Sequence, residues 1–154
     1  MSGAFRWLGR ISAFGWGLGF AVNCLAGTIN ATVTKADGSP LSDAVVSFSV
    51  AGQPAVPAKA GTKAVMIQED KQFSPFVLPV QIGTTVDFPN HDTFRHQVYS
   101  FSPAKRFELK LYGAPQVGTQ IFDKEGVVSL GCNIHDNMLA YVCASSEHLR
   151  QMRA

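Results

Sequence analysis

No long stretch of this chain carries apolar residues at helical spacing. Apolar residues instead alternate with polar ones in short runs, and each run is stopped by Gly, Pro or Asp. Alternation with period two places every second side chain on one face of a strand. Thr28 to Thr34 and Val45 to Val50 are β-branched runs of this kind, separated by the turn Asp37-Gly38-Ser39-Pro40. There Gly accepts positive φ and Pro ends any ladder. Residues 52–63, rich in Pro, Ala and Gly, read as a loop. Val65 to Gln68, Phe76 to Ile82, Thr84 to Phe88 and Gln97 to Phe101 are further candidate strands. Phe107 to Leu111, Thr119 to Phe122, Val127 to Leu130 and Leu139 to Ala144 complete the set. Many short strands with frequent turns predict an all-β, antiparallel Greek-key sandwich, with Phe and Val residues forming its core. Ser145 to Ala154 is polar and reads as a frayed helix or a disordered tail.

The first 26 of the 154 residues read as an export signal rather than part of the fold. Arg6 and Arg10 supply its positive region. Ile11 to Leu25 is apolar and uncharged, and Cys24-Leu25-Ala26 offers small residues ahead of a cut before Gly27. The apolar run is shorter than the roughly 20 residues that span a bilayer, so no membrane span is expected in the mature chain. The expected location is the periplasm. The chain carries 13 basic and 11 acidic residues. Removing Arg6 and Arg10 with the signal leaves the two signs equal. That balance gives no basic stripe for nucleic acid.

One short loop, Gly131-Cys-Asn-Ile-His-Asp-Asn-Met138, places a thiolate, an imidazole and a thioether at three-residue intervals. Soft sulfur ligands favour Cu(I), and two histidines, one cysteine and a weak axial methionine form a mononuclear blue-copper centre. Zinc has little use for the methionine. Val127 to Leu130 precedes Cys132 and Leu139 to Cys143 follows Met138, so the loop joins two neighbouring strands. The second histidine must come from His91, His96 or His148. His96 stands at the start of the strand Val98 to Phe101, placed to face the loop, whereas His91 lies in a polar turn and His148 in the tail. Of three cysteines, Cys24 is expected to leave with the signal, and the remaining two, Cys132 and Cys143, would ordinarily suggest a disulfide in an exported chain. Pairing Cys132 would forfeit its thiolate, which leaves Cys143 as a free or buried thiol without a role.

With Asn90 to His96 as the upstream turn and Cys132, His135 and Met138 as the downstream loop, the chain resembles the cupredoxins, the family of plastocyanin and amicyanin. The short His-x-x-Met spacing is closer to amicyanin. Tyr99 to Leu109 and Leu130 to His135 also resemble exported bacterial proteins loosely called methylamine utilisation proteins. The resemblance implies that His96 and His135 are equatorial nitrogen ligands, Cys132 the equatorial thiolate and Met138 the long axial ligand of one copper ion. It implies that His135 lies near the surface as the electron exit, and that Asn90 holds the two ligand-bearing loops together. Gln97 follows the first histidine where the relatives have Asn, and Asp136 stands beside His135 where a carboxylate would favour Cu(II). The expected organisation is a signal peptide (1–26), an amino-terminal β segment and loop (27–64), a copper domain (65–144) and a tail (145–154).

The function expected from these features is transfer of single electrons to and from a transient redox partner, a cytochrome or a dehydrogenase. Met138 and Leu139 around His135 would form the contact surface, with Lys105, Arg106 and Lys110 as a basic rim. Two other readings share the residues: a copper storage or delivery module, and a structural sandwich without a working site. No enzymatic activity is expected, because four histidines cannot build a second copper centre beside the first.

Overall fold

The computed structural model describes residues 29–49, 51, 52, 54, 55 and 57–151. The expected export signal (1–26) therefore lies outside the described residues. Of the described residues, Ile29–Ala31 fall in one unit and those from Thr32 onward in another, which holds every described strand. The described residues contain no helix, and so none long and apolar enough to cross a membrane.

The core is built by two sheets. The larger has five strands in the order β5 (Val77–Gln81), β11 (Leu139–Ser145), β10 (Gly126–Gly131), β7 (Tyr99–Ser102) and β8 (Lys105–Glu108). The smaller has the order β2 (Lys63–Val65), β6 (Thr84–Pro89) and β9 (Val117–Phe122). In β6, Thr84, Val86 and Phe88 are buried and their neighbours are not; in β11, Ala140, Val142 and Ala144 are. These alternations send one face of each sheet inward. Phe88 and Phe122 on the small sheet meet Phe107 of the large one, with ring centroids 6.3 Å apart in both pairs. Phe88, Phe122, Met66 and Leu130 are among the largest side chains fully removed from water.

The all-β sandwich expected from the alternation is present, but its pairing is mixed rather than purely antiparallel. β5 runs parallel to β11 and β2 runs parallel to β6. Alternation within a strand fixes its buried face and carries no information on the direction of its neighbour. Two local expectations give way and one hairpin is added. Thr28 to Thr34 forms no strand over its described residues; it contributes a single bridge, Thr34 to Pro40, closing the turn at Gly38. A short hairpin, β3 (Ile67–Glu69) with β4 (Gln72–Ser74), was hidden by the charged pair Asp70-Lys71. The tail folds as well: β12 (His148–Gln151) pairs antiparallel with β1 (Val45–Phe48). Glu125 accepts a hydrogen bond from the Ser146 amide at 2.7 Å, which secures the chain just before β12.

Candidate metal centre

Two turns at one end of the sandwich carry the site. The first runs from the end of β6 to His96. Asn90, 3% exposed, organises it: its amide donates to the carbonyls of Phe94 (2.8 Å) and Tyr112 (3.2 Å), and its oxygen accepts the Asp92 amide (2.9 Å). His96 is then locked by two backbone hydrogen bonds with Tyr112, each 2.9 Å long. Tyr112 is itself fixed, because its hydroxyl donates to the Phe88 carbonyl at 2.6 Å and accepts from Gln68 at 2.7 Å. Burial pushes its phenol pKa up to about 12.

The second turn is the loop between β10 and β11. The ladder between these strands ends at the pair Gly131–Leu139, so Cys132 and Met138 are the first residues past it on either side. The His135 amide donates to the Cys132 carbonyl at 3.4 Å and the Met138 amide to the His135 carbonyl at 3.0 Å. Both loop ends are therefore anchored in the sheet.

The turns bring three donor atoms together. His96 Nδ1 and His135 Nδ1 each lie 3.8 Å from Cys132 Sγ and 3.2 Å from one another. Nitrogen donors about 2.0–2.1 Å and a sulfur donor about 2.3 Å from one first-row ion, at angles between tetrahedral and trigonal, stand about 3.3–3.6 Å (N to N) and 3.5–3.8 Å (N to S) apart. The spacing thus fits a single shared cation, and these three residues form a group able to hold one. His96 and Cys132 are buried and His135 is half-exposed. Met138 is 2% exposed, in the same core cluster as Cys132.

Behind His96 stands a carboxylate. Asp92 Oδ2 lies 2.6 Å from His96 Nε2, and the Asp92 side chain is 9% exposed. Burial works against its charge, but hydrogen bonds from His96 and from the amides of Lys71 and Asp70 outweigh that cost and hold its pKa below the usual carboxylate value. An ionised carboxylate only accepts, which assigns a proton to Nε2 and points Nδ1 at the other two donors.

The remaining expected residues fall differently. Gln97 turns away and donates to Glu108 at 2.7 Å on the exposed side of β8. Asn90 ties the first turn to Tyr112. The carboxylate touching a site histidine is Asp92, not Asp136, which is exposed and lines a shallow cleft with Tyr99, Phe101 and Met138. Asp92 was missed because it stands four residues before His96 in a turn, where Asp is ordinary; the i, i+4 spacing to the histidine was the available signal. His91 is exposed, 3.9 Å from Glu69. Cys132 and Cys143 are free thiols at opposite ends of the β10–β11 ladder, since Cys143 pairs with Val127. Phe94 and Ile134 of the two turns, and Leu139 at the start of β11, are exposed apolar side chains, whereas Met138 is buried. Phe94 packs against both imidazoles, 5.1 Å from His96 and 5.5 Å from His135. Its neighbouring cation is Lys71, 5.6 Å from the ring, whereas Lys105 is paired with Asp123 at 2.9 Å.

No protein-family model and no curated protein matches the chain. Among solved structures, a reduced mutant of amicyanin aligns with 56% of this chain and 86% of its own length, at 19% identity and a TM-score of 0.51. The Cu(I) form of another amicyanin mutant aligns with 67% of this chain and 100% of its own, at 18% identity and the same TM-score of 0.51. A copper-containing nitrite reductase from Thermus scotoductus SA-01 aligns with 64% of this chain at 23% identity and a TM-score of 0.49; the chain spans 25% of its length. The fold is that of a cupredoxin.

Proposed function

We propose that this chain is an exported type 1 copper protein that carries single electrons between redox partners in the periplasm. The observation that carries the reading is the convergence of two imidazole nitrogens and one thiolate sulfur within 3.2 to 3.8 Å of each other. His96, Cys132 and His135 would hold the ion, with Met138 as the weak fourth ligand. Copper bound by such a set supplies a one-electron couple. The amicyanin neighbour in its Cu(I) form supports this choice of metal.

The protein's part is to keep the donors still. His96 is held by Tyr112 on its backbone and by Asp92 on its ring, and Cys132 by the end of the β10–β11 ladder. Donors that need not rearrange between two charge states impose little reorganisation on electron transfer. Half-exposed His135, beside Phe94, Ile134 and Leu139, offers the exit, and a small apolar contact of this kind suits a brief encounter with a cytochrome or a dehydrogenase. Carrier rather than enzyme is the role we assign, a choice the amicyanin neighbours support.

The test is optical. Protein loaded with one equivalent of Cu(II) is expected to show an intense thiolate-to-copper band in the visible, absent in Cys132→Ala. A fully loaded but colourless protein would defeat the proposal. Fast hand-over of copper to an acceptor, without electron exchange with a cytochrome, would instead assign it to copper delivery.

A further inference from the structure

We propose that Asp92 is a positioning residue for His96, and that the β3–β4 hairpin tip is the brace that holds Asp92 in place. The redox consequence rests on the copper reading; the positioning itself does not.

The brace is built from backbone. Glu69 pairs with Gln72, so Asp70 and Lys71 are the two central residues of a tight hairpin turn. Both have positive φ, 53° and 57°, as a two-residue turn of the primed type requires. Neither is glycine, so both adopt a backbone region that side chains other than glycine's disfavour. The conformation aims two successive amides at one side chain: Asp70 donates to Asp92 Oδ1 at 2.9 Å and Lys71 to Oδ2 at 3.1 Å. From the other side, Asn90 Oδ1 accepts the Asp92 amide. The carboxylate is thus gripped by both its oxygens and its own backbone before it meets the imidazole at 2.6 Å. Phe94 closes the edge of the ring, and Lys71 lies over Phe94. A hairpin from the small-sheet side therefore fixes the rotation and tautomer of an imidazole whose other nitrogen faces Cys132.

Two effects follow. Fixing the tautomer removes the cost of selecting it when an ion arrives. A buried negative charge behind the ring raises its donor strength and favours the more highly charged ion. Outer partners of ligating histidines typically affect metal affinity by about 10–100-fold.

The experiment compares wild type with Asp92→Asn, which keeps the shape and loses the charge, and with Asp92→Ala. Nitrogen-15 NMR of the metal-free proteins is expected to show His96 protonated at Nε2 alone in wild type and as a tautomer mixture in Asp92→Ala. Cu(II) affinity, measured by chelator competition, is expected to fall about 10–100-fold in both variants. If Cu(I) affinity falls about tenfold less than Cu(II) affinity, the potential rises by about 59 mV. A wild-type His96 protonated at Nδ1, a measurement that needs no variant to fold, would overturn the inference. So would an unchanged tautomer and an unchanged potential in Asp92→Asn. Wild type that binds no copper would end the electron-carrier proposal, while the metal-free spectra still decide the role of Asp92.

Discussion

Met138 is asked to do two jobs, and substitutions can separate them. Its side chain is 2% exposed in the core cluster that includes Leu130, Cys132 and Ala140. Truncation of a buried methionine to alanine removes transfer free energy and leaves a cavity, about 2–5 kcal/mol in all. The site has little freedom to collapse, because the next residue, Leu139, is paired with Gly131 and the Met138 amide is bonded to His135. The upper half of that range, about 3–5 kcal/mol, is expected for Met138→Ala in the metal-free protein. At about 4 °C per kcal/mol, the melting temperature should drop by about 12–20 °C. Met138→Leu keeps the volume and should cost less than about 1.5 kcal/mol. The two variants therefore differ widely in metal-free stability, while both lack the thioether. Calorimetry of the metal-free proteins reads the packing role, and the visible spectrum and potential of the copper-loaded Leu variant read the ligand role. A loss below about 1 kcal/mol in Met138→Ala would refute the packing argument. A Met138→Leu protein with the wild-type spectrum and potential would refute the axial ligand.

Other outcomes are checked independently. A Cβ at Gly118 would lie 2.5 Å from Leu109 Cδ1 and 3.0 Å from the Tyr112 hydroxyl, which is already committed to Phe88 and Gln68, so Gly118→Ala should cost about 1–3 kcal/mol in denaturant unfolding. Burial raises the pKa of the Cys143 thiol, so its alkylation at pH 8 should be slower than that of a free model thiol and should accelerate only at higher pH. Asp123 and Glu125 have depressed pKa values, the first from Lys105 and the second from Ser146. Their stabilisation is present above the ordinary values of 3.8 and 4.5 and lost as pH falls through the lower folded ones, so Glu125→Gln should flatten the acid limb of a stability-against-pH curve.

What could be read in advance follows a physical divide. Alternation within β6, β10 and β11 is a local property, and it located those strands and their buried faces. The direction of pairing is not local, so the parallel pairs β5–β11 and β2–β6 could not be read from it. The loop from Cys132 to Met138 was legible because its donors lie close in sequence and because the flanking strands fix both ends. His96 could be favoured over His91 from its place at a strand start. Asp92 left only its i, i+4 spacing to His96 as a signal, and its hairpin brace left none, since those contacts join residues about twenty positions apart through backbone amides, which leave no mark on residue identity. The positive-φ pair Asp70-Lys71 lacks the Gly or Asn that usually announces such a turn. The tail gives no strand signal for a related reason: β12 is mostly polar, and it pairs as a strand with β1 alongside.

The most direct test of the account is X-ray absorption fine structure at the copper edge of the loaded protein. The account predicts two imidazole nitrogens and one short sulfur in the first shell, with the sulfur lost in Cys132→Ala. A first shell of nitrogen and oxygen alone in the wild-type protein would contradict it.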